Sequence, residues 1–292
     1  MEILLRQIPN AFEAKTAYFE ENKNKIEALI LGSSHTMYGV NPDFLSSEAL
    51  NFSNVSQTLD IDYTYLQYLG GQMPKLRYVI IRLSYTTLFE QLSLLEDKWR
   101  IKDYNIYGPK RLDFQLNHQF EILSVKLRTN INRILSYYVF KDFKIDFSKK
   151  GWGVGRIDKE LSLIDLEESG MSAAKRHTIL DQHLYSENLR FLTHILEYCK
   201  SKRIKVLLVT TPTHESYYSN LESEQLKLTI DIGERMERMY SNCYYYNLLS
   251  SELFSGKDFL DGDHLNAEGA TKLSKFLNQK IINFHEESKN KD

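Results

Sequence analysis

The chain has 292 residues, with 37 Lys and Arg against 39 Asp and Glu for a formal charge of −2, and 42% of its residues are hydrophobic. That is an ordinary globular composition, long enough to bury a full core without disulfide or metal staples. A near-neutral balance gives no general electrostatic grip on nucleic acid or anionic lipid, so neither partner is expected.

In chain order, residues 10–25 read as one charged amphipathic helix. Three strands follow, at 27–32 (EALILG), 49–53 (ALNFS) and 77–83 (RYVIIRL). About 120 residues then separate the third strand from a fourth at 204–210 (IKVLLVT), far more than the roughly 10 to 12 that a crossover needs, so a mostly helical insertion is expected at about 91–187. Within it, Ile122, Val125, Leu127, Ile131, Ile134 and Leu135 have helix-like spacing, and 151–155 (GWGVG) reads as a loop. Leu189, Leu192, Ile195, Leu196 and Cys199 form the stripe of a crossover helix into the fourth strand. A fifth strand is expected at 243–248 (CYYYNL). The last helix carries Leu273, Phe276, Leu277 and Ile281 on one face, with Asn266 placed to cap it and Glu268 in its first turn; residues 286–292 should fray. Strands that are apolar nearly throughout are covered on both faces, so the fold class is α/β with a five-stranded parallel sheet, a single domain over 1–292 apart from the insertion.

Cys199 and Cys243 are too few for a zinc ribbon or a disulfide framework and read as small buried apolar residues. No metal and no cofactor is expected. No apolar run reaches the ~18 to 20 residues that cross a bilayer, and residues 1–8 are too short and interrupted for a signal-peptide core. As given the chain has no integral membrane segment and reads as cytoplasmic, or as extracytoplasmic if an anchor lies upstream.

The first strand ends in Gly32-Ser33-Ser34-His35. Ligands of doubly wound sheets bind beyond the carboxyl ends of the strands, which puts Ser34 at that edge. A serine hydroxyl becomes a nucleophile only when a base takes its proton. Residues 259–270 (FLDGDHLNAEGA) supply a candidate: Asp261, three residues before His264 in a Gly-containing turn, can hold imidazole Nδ1 and leave Nε2 facing the serine. Asp263 is adjacent but is expected to point elsewhere. On the plain reading, Ser34 is a small residue in a tight turn, and the Asp261–His264 pair a surface turn before a helix.

Gly32-Ser33-Ser34 after a buried strand, with Asp261-x-x-His264 followed by Leu265-Asn266 and Gly269-Ala270, resembles the SGNH (GDSL-like) serine hydrolases. The resemblance covers roughly 26–90 and 188–285. It implies a flavodoxin-like three-layer α/β/α fold, with Ser34 as nucleophile, His264 as general base and Asp261 as its orienter. Within that superfamily the chain looks most like the branch of D-alanyl-lipoteichoic acid biosynthesis and alginate O-acetylation proteins, which implies an O-acyl esterase or acyltransferase acting on a small-molecule or polysaccharide acyl ester of the cell envelope. Two blocks depart from the pattern. After the second strand the chain reads Ser53-Asn54-Val55-Ser56-Gln57 without the usual glycine, leaving the Ser56 backbone N–H or the Asn54 side-chain amide as oxyanion donor, and the third strand runs into Arg82-Leu83-Ser84 where G-x-N-D is usual.

His35 can contribute to substrate binding or merely pack, and His214, after the fourth strand, can contact substrate or sit solvated at the rim. Two other classes compete with the enzyme. One is a non-catalytic carbohydrate-binding or accessory module that has lost its oxyanion hole. The other is a phosphate or nucleotide binder, for which Ser33-Ser34-His35 offers no clear nest of glycine amides and Gly151-x-Gly153-x-Gly155 follows no apolar strand.

Overall fold

The computed structural model describes residues 1–143, 146–154, 163–179 and 181–289. The chain opens with helices α1 (Glu2–Arg6) and α2 (Ala11–Asn22), the second capped by Asn10, whose side chain accepts from the Glu13 N–H. The first half of the sheet region follows as β1 (Ala28–Leu31), α3 (Ser34–Gly39), β2 (Ala49–Asn51), α4 (Leu59–Gly70) and β3 (Tyr78–Arg82). After β3 come the short helices α5 (Ile101–Ile106), α6 (Glu121–Ser124) and α7 (Leu127–Ile134), then α8 (Leu163–His177). The chain returns through α9 (Tyr185–Ser201), β4 (Lys205–Thr210), α10 (Glu215–Tyr218), α11 (Ser223–Met239), β5 (Cys243–Asn247) and α12 (Ala267–Lys289).

The five strands form one sheet in the order β2-β1-β3-β4-β5, every pair parallel, with Ala28 beside Ala49 and Tyr78, and Val206 beside Val79 and Cys243. This is the doubly wound flavodoxin-like order. Alternation of side chains along each strand divides the core in two. Leu29, Leu31, Val79, Ile81, Val206 and Leu208 face α4, α9 and α11, whereas Ala28, Ile30, Tyr78, Ile80, Leu207 and Val209 face α12. Both sets are buried, which is why these strands carry unbroken apolar runs. Leu192, Ile195, Leu196 and Cys199 of the crossover stripe lie in the first layer, as their spacing implies.

The helix-like spacing over 120–140 corresponds to α6, α7 and a π-helical turn at Leu135–Val139, and Ile122, Leu127, Ile131 and Leu135 are exposed. The residue buried from α7 is Asn130, and from α6 it is Glu121, whose carboxylate is taken by Arg133, Lys102 and Tyr107. The C-terminal helix runs to Lys289, with Phe284 buried against Tyr78 and Tyr244; residues 290–292 of the stretch expected to fray lie outside the described residues. Of the glycine-rich stretch at 151–155, Gly155 lies outside the described residues. The rest is a loop that docks on α3 and β2: Trp152 Nε1 donates to Tyr38 O at 2.7 Å, and Asn51 N–H donates to Lys150 O at 2.9 Å. Among the described residues, no helix is long and apolar enough to cross a membrane.

Candidate active site

The site is assembled at the carboxyl edge of the sheet. Gly32 turns the chain out of β1 with φ +121°, and a Cβ there would lie 2.7 Å from Thr36 Oγ1 and 3.0 Å from Arg82 Cβ. Glycine is needed both for the backbone and for the space. Ser33 caps α3, its Oγ accepting from the His35 N–H, and Ser34 takes the first helical position, where a backbone N–H has no intrahelical partner.

The second half comes from the turn before α12, whose start Asn266 caps by accepting from the Glu268 and Gly269 N–H groups at 3.0 and 3.1 Å. Asp261 Oδ1 accepts from the backbone N–H of His264 at 2.8 Å and of Asp263 at 3.3 Å, an Asx-type turn closed by the same carboxylate that meets His264 Nδ1 at 2.9 Å. Gly262 crosses α8 so closely that a Cβ would lie 2.1 Å from Gly170 Cα, and its N–H donates to Ser169 Oγ at 2.9 Å. Helix α8 thereby fixes the height of the turn. His264 Nε2 then lies 2.9 Å from Ser34 Oγ, across 230 residues of sequence, and its side chain keeps 13% of its surface open to an incoming molecule.

Behind this array lies a buried polar chain that the sequence reading missed. The His35 ring stacks on that of His264, centroids 4.8 Å apart and planes 10° from parallel. His35 Nε2 lies 3.2 Å from Asp263 Oδ2, while Asp263 Oδ1 lies 3.4 Å from His264 Nδ1. Asp263 thus does not point elsewhere; it bridges the two imidazoles. Arg82, at the end of β3, puts Nη1 3.3 Å from His35 Nδ1 and donates to Ser84 Oγ at 2.6 Å, and its buried Nε finds no partner among the described residues. An arginine closing an otherwise apolar, buried strand was the available signal for it.

These contacts set the protonation. Burial pushes the His35 imidazole down, although the bond to Asp263 opposes, so the ring is neutral; its partners assign Nε2–H to Asp263 and leave Nδ1 to accept from Arg82. Burial also works against charge on His264, but the Asp263 carboxylate and the Asp261 bond outweigh it and raise this group to about 10. Asp263 itself is held well below the ordinary carboxylate range: burial opposes, and the charge and bond of His264 prevail. Desolvation lowers His177, on the far side of His35, to about 4.

A cavity of about 160 Å³ opens over Ser34, walled by Ser56, Thr58, Arg82, Thr86, Glu90 and His177 among others. Its lining is mostly polar. Ser56 reaches it in a left-handed conformation, φ 58°, with its Oγ donating to Asp97 Oδ2 at 2.6 Å, and its backbone N–H has no partner among the described residues. Asn54 is turned away from the role considered for it: its Nδ2 donates to Phe52 O at 3.1 Å and Gln57 Oε1 at 2.9 Å, so both N–H groups are committed, and its Oδ1 accepts from the buried Lys15. His35 lines the cavity but is packed and bonded on every polar atom. His214 is not brought in; its ring caps α10 by accepting from the Ser216 N–H and lies edge-on to Phe259. The ligating atoms of His35, Asp263 and His264 fall within 4.8 Å of one another, the spacing of a candidate cation site, but they already bond one another and the Arg82 guanidinium stands beside them. Hydrogen bonds alone account for their approach.

A protein-family model matches residues 139–286, which is 148 of the 292 positions and takes in β4, β5 and the Asp261–His264 turn; the chain belongs to that family, and the match itself states no activity. No curated protein matches the sequence. Among solved structures the chain is similar to a protein assigned as an acylhydrolase from Bacteroides fragilis, with 12% identity and a TM-score of 0.44 over 91% of this chain and 95% of that one. It is similar also to a GDSL-like lipase from Bacteroides thetaiotaomicron, with 11% identity and a TM-score of 0.43 over 93% and 98%. Likenesses of this size carry no argument about activity, which has to come from the site.

Proposed function

We propose that the protein is a serine-dependent ester hydrolase or acyltransferase in which Ser34 attacks an acyl ester, His264 takes the serine proton and Asp261 orients His264. The observation that carries this reading is the unbroken line Ser34 Oγ–His264 Nε2–His264 Nδ1–Asp261 Oδ1, with both links at 2.9 Å. With His264 neutral, Nδ1–H donates to Asp261 and Nε2 accepts the proton as Ser34 Oγ bonds to the acyl carbon. The imidazolium so formed is stabilised by two carboxylates, Asp261 and Asp263, and returns its proton to the departing alkoxide. Water, or the hydroxyl of an acceptor, then enters by the same route in reverse and releases the acyl group from Ser34.

The negative charge on the tetrahedral carbon's oxygen needs donors. The backbone N–H groups of Ser34 and Ser56, both lining the cavity, are the candidate donors, and the Arg82 and Arg176 guanidinium groups line the same cavity. A cavity of about 160 Å³ with hydroxyl, carboxyl and guanidinium walls suits a short acyl group on a polar or sugar-like alcohol. The region between β3 and α9 is, on this reading, a cap that closes the site through α8.

The committed Asn54 amide favours one second reading, a carbohydrate-binding or accessory module whose oxyanion hole is incomplete. Turnover of acetylated sugars or short-chain aryl esters separates the two: turnover lost in Ser34→Ala supports the enzyme, and sugar binding without turnover supports the module. Losing one oxyanion donor typically costs about 100-fold to 1,000-fold, so the assay must resolve slow rates.

A further inference from the structure

Residues 110–143, together with α1, expose an apolar face that neither sheet layer uses. Helix α1 is fixed onto this region: the Glu2 carboxylate accepts from the Glu121 and Ile122 N–H groups at 3.1 and 3.0 Å, Arg6 Nη2 donates to Gln119 O at 2.8 Å, and Tyr138 Oη donates to Leu4 O at 3.0 Å. Those bonds set Ile3 and Leu4 beside Phe120, Ile122 and Tyr138, all exposed. Further exposed apolar residues are Leu127 and Ile131 of α7, Leu135 of the π-helical turn that continues it at the same spacing, and Phe140; Leu127 is 60% and Phe140 74% exposed.

The patterning here is inverted. Beneath the apolar face lies a buried polar cluster, Glu121 held by Arg133, Lys102 and Tyr107, with Asn130 Nδ2 donating to Glu121 O at 3.0 Å. An element that satisfies its polar residues inward and turns Leu, Ile and Phe outward is built for a non-aqueous neighbour.

Charge identifies that neighbour. Within 110–143 the exposed charged residues are Lys110, Arg111, Lys126, Arg128 and Lys141 against Asp142 alone, in a chain whose net charge is −2. Two copies of this chain meeting face to face would bring those cations together, and lysine is depleted from the cores of protein interfaces. Exposed Leu127 flanked in the chain by Lys126 and Arg128, and Phe140 followed by Lys141, instead suit the headgroup region of an anionic bilayer. We infer that this face docks the protein on an anionic lipid surface. Whole-chain charge conceals it because the surplus is local.

The test is flotation of the purified chain with vesicles of phosphatidylcholine alone and of phosphatidylcholine mixed with phosphatidylglycerol. Binding is expected to the mixed vesicles and to weaken with added salt. Each Lys or Arg near such a surface contributes roughly 5-fold to partition, so Lys126→Gln/Arg128→Gln/Lys141→Gln should bind about 100-fold more weakly. Leu127→Ser/Phe140→Ser should lose binding too. These positions are exposed, so both variants should keep the parent's melting temperature and its turnover of a soluble ester. Absence of phosphatidylglycerol-dependent binding, or binding that neither variant weakens, overturns the inference. So does a dimer, seen by sedimentation and broken by Leu127→Ser, in a chain that ignores vesicles.

Discussion

Replacing Asp263 with asparagine keeps the shape of the side chain and removes the charge that faces His264. The separation is 3.4 Å from Asp263 Oδ1 to His264 Nδ1. At an effective dielectric of about 20, unit charges at that distance interact by about 5 kcal/mol, which would correspond to about 3.5 pH units. The carboxylate also serves His35 and lies near Arg82, so about two pH units is the working expectation for its loss. The assay is kcat/KM on a soluble short-chain ester as a function of pH. Because His264 holds its proton up to about 10, the parent's rate should climb with pH through the alkaline range as the neutral base appears. For stability the sign is the reverse: the raised group contributes fully below its unfolded value of 6.5, and the contribution is lost as pH rises through about 10. In Asp263→Asn the kinetic inflection should fall toward neutrality, and the alkaline plateau should drop by about 10-fold or more, since one carboxylate fewer stabilises the imidazolium in the transition state. An inflection that stays in place or moves upward would refute this account of the pair.

Gly262→Ala would force a Cβ to 2.1 Å from Gly170 Cα, a backbone atom that cannot swing aside. It should cost about 1 to 3 kcal/mol, read as a lower Tm, and reduce kcat more than KM because the displaced turn carries Asp261 and His264. Lys15 is fully buried and desolvation lowers it to about 7, so its folded and unfolded values differ across the window from 7 to 10.5. The unfolded chain binds the extra proton there, hence stability should rise with pH across that window by up to about 5 kcal/mol, and Lys15→Met should flatten the rise in chemical denaturation. Dialysis against a chelator should leave ester turnover unchanged; restoration of lost activity by added zinc would assign His35, Asp263 and His264 to a metal instead.

The sheet was legible because its signal is local. Unbroken runs such as Val79-Ile80-Ile81 can only be strands covered on both faces, and the stripe from Leu189 to Cys199 has one helical solution. The meeting of Ser34 with His264 was accessible for a related reason: each ends its own strand-to-helix or turn-to-helix junction, and the fold carries such junctions to one edge. What stayed hidden depends on packing at long range. Position next to His264 points Asp263 away from the site, yet in the fold both carboxylates reach the imidazoles, in a turn whose Gly262 packs directly on Gly170. The Asn54 amide is the local exception: its Nδ2 is taken by Phe52 and Gln57, two and three residues away, through a turn that residue types alone do not specify, and only Lys15 reaches it from afar. On α6 and α7 the spacing indicates a helix without saying which face is covered: Glu121 and Asn130 find buried partners, and the apolar side is exposed.

The most direct test of the central claim is labelling with a serine-reactive fluorophosphonate, followed by peptide mass mapping, on the parent and on His264→Ala. One adduct is expected, on Ser34, formed in the parent and lost or slowed by several orders of magnitude in His264→Ala while the fold is retained. A folded parent that forms no adduct, or an adduct on Ser34 that forms equally fast without His264, would contradict it.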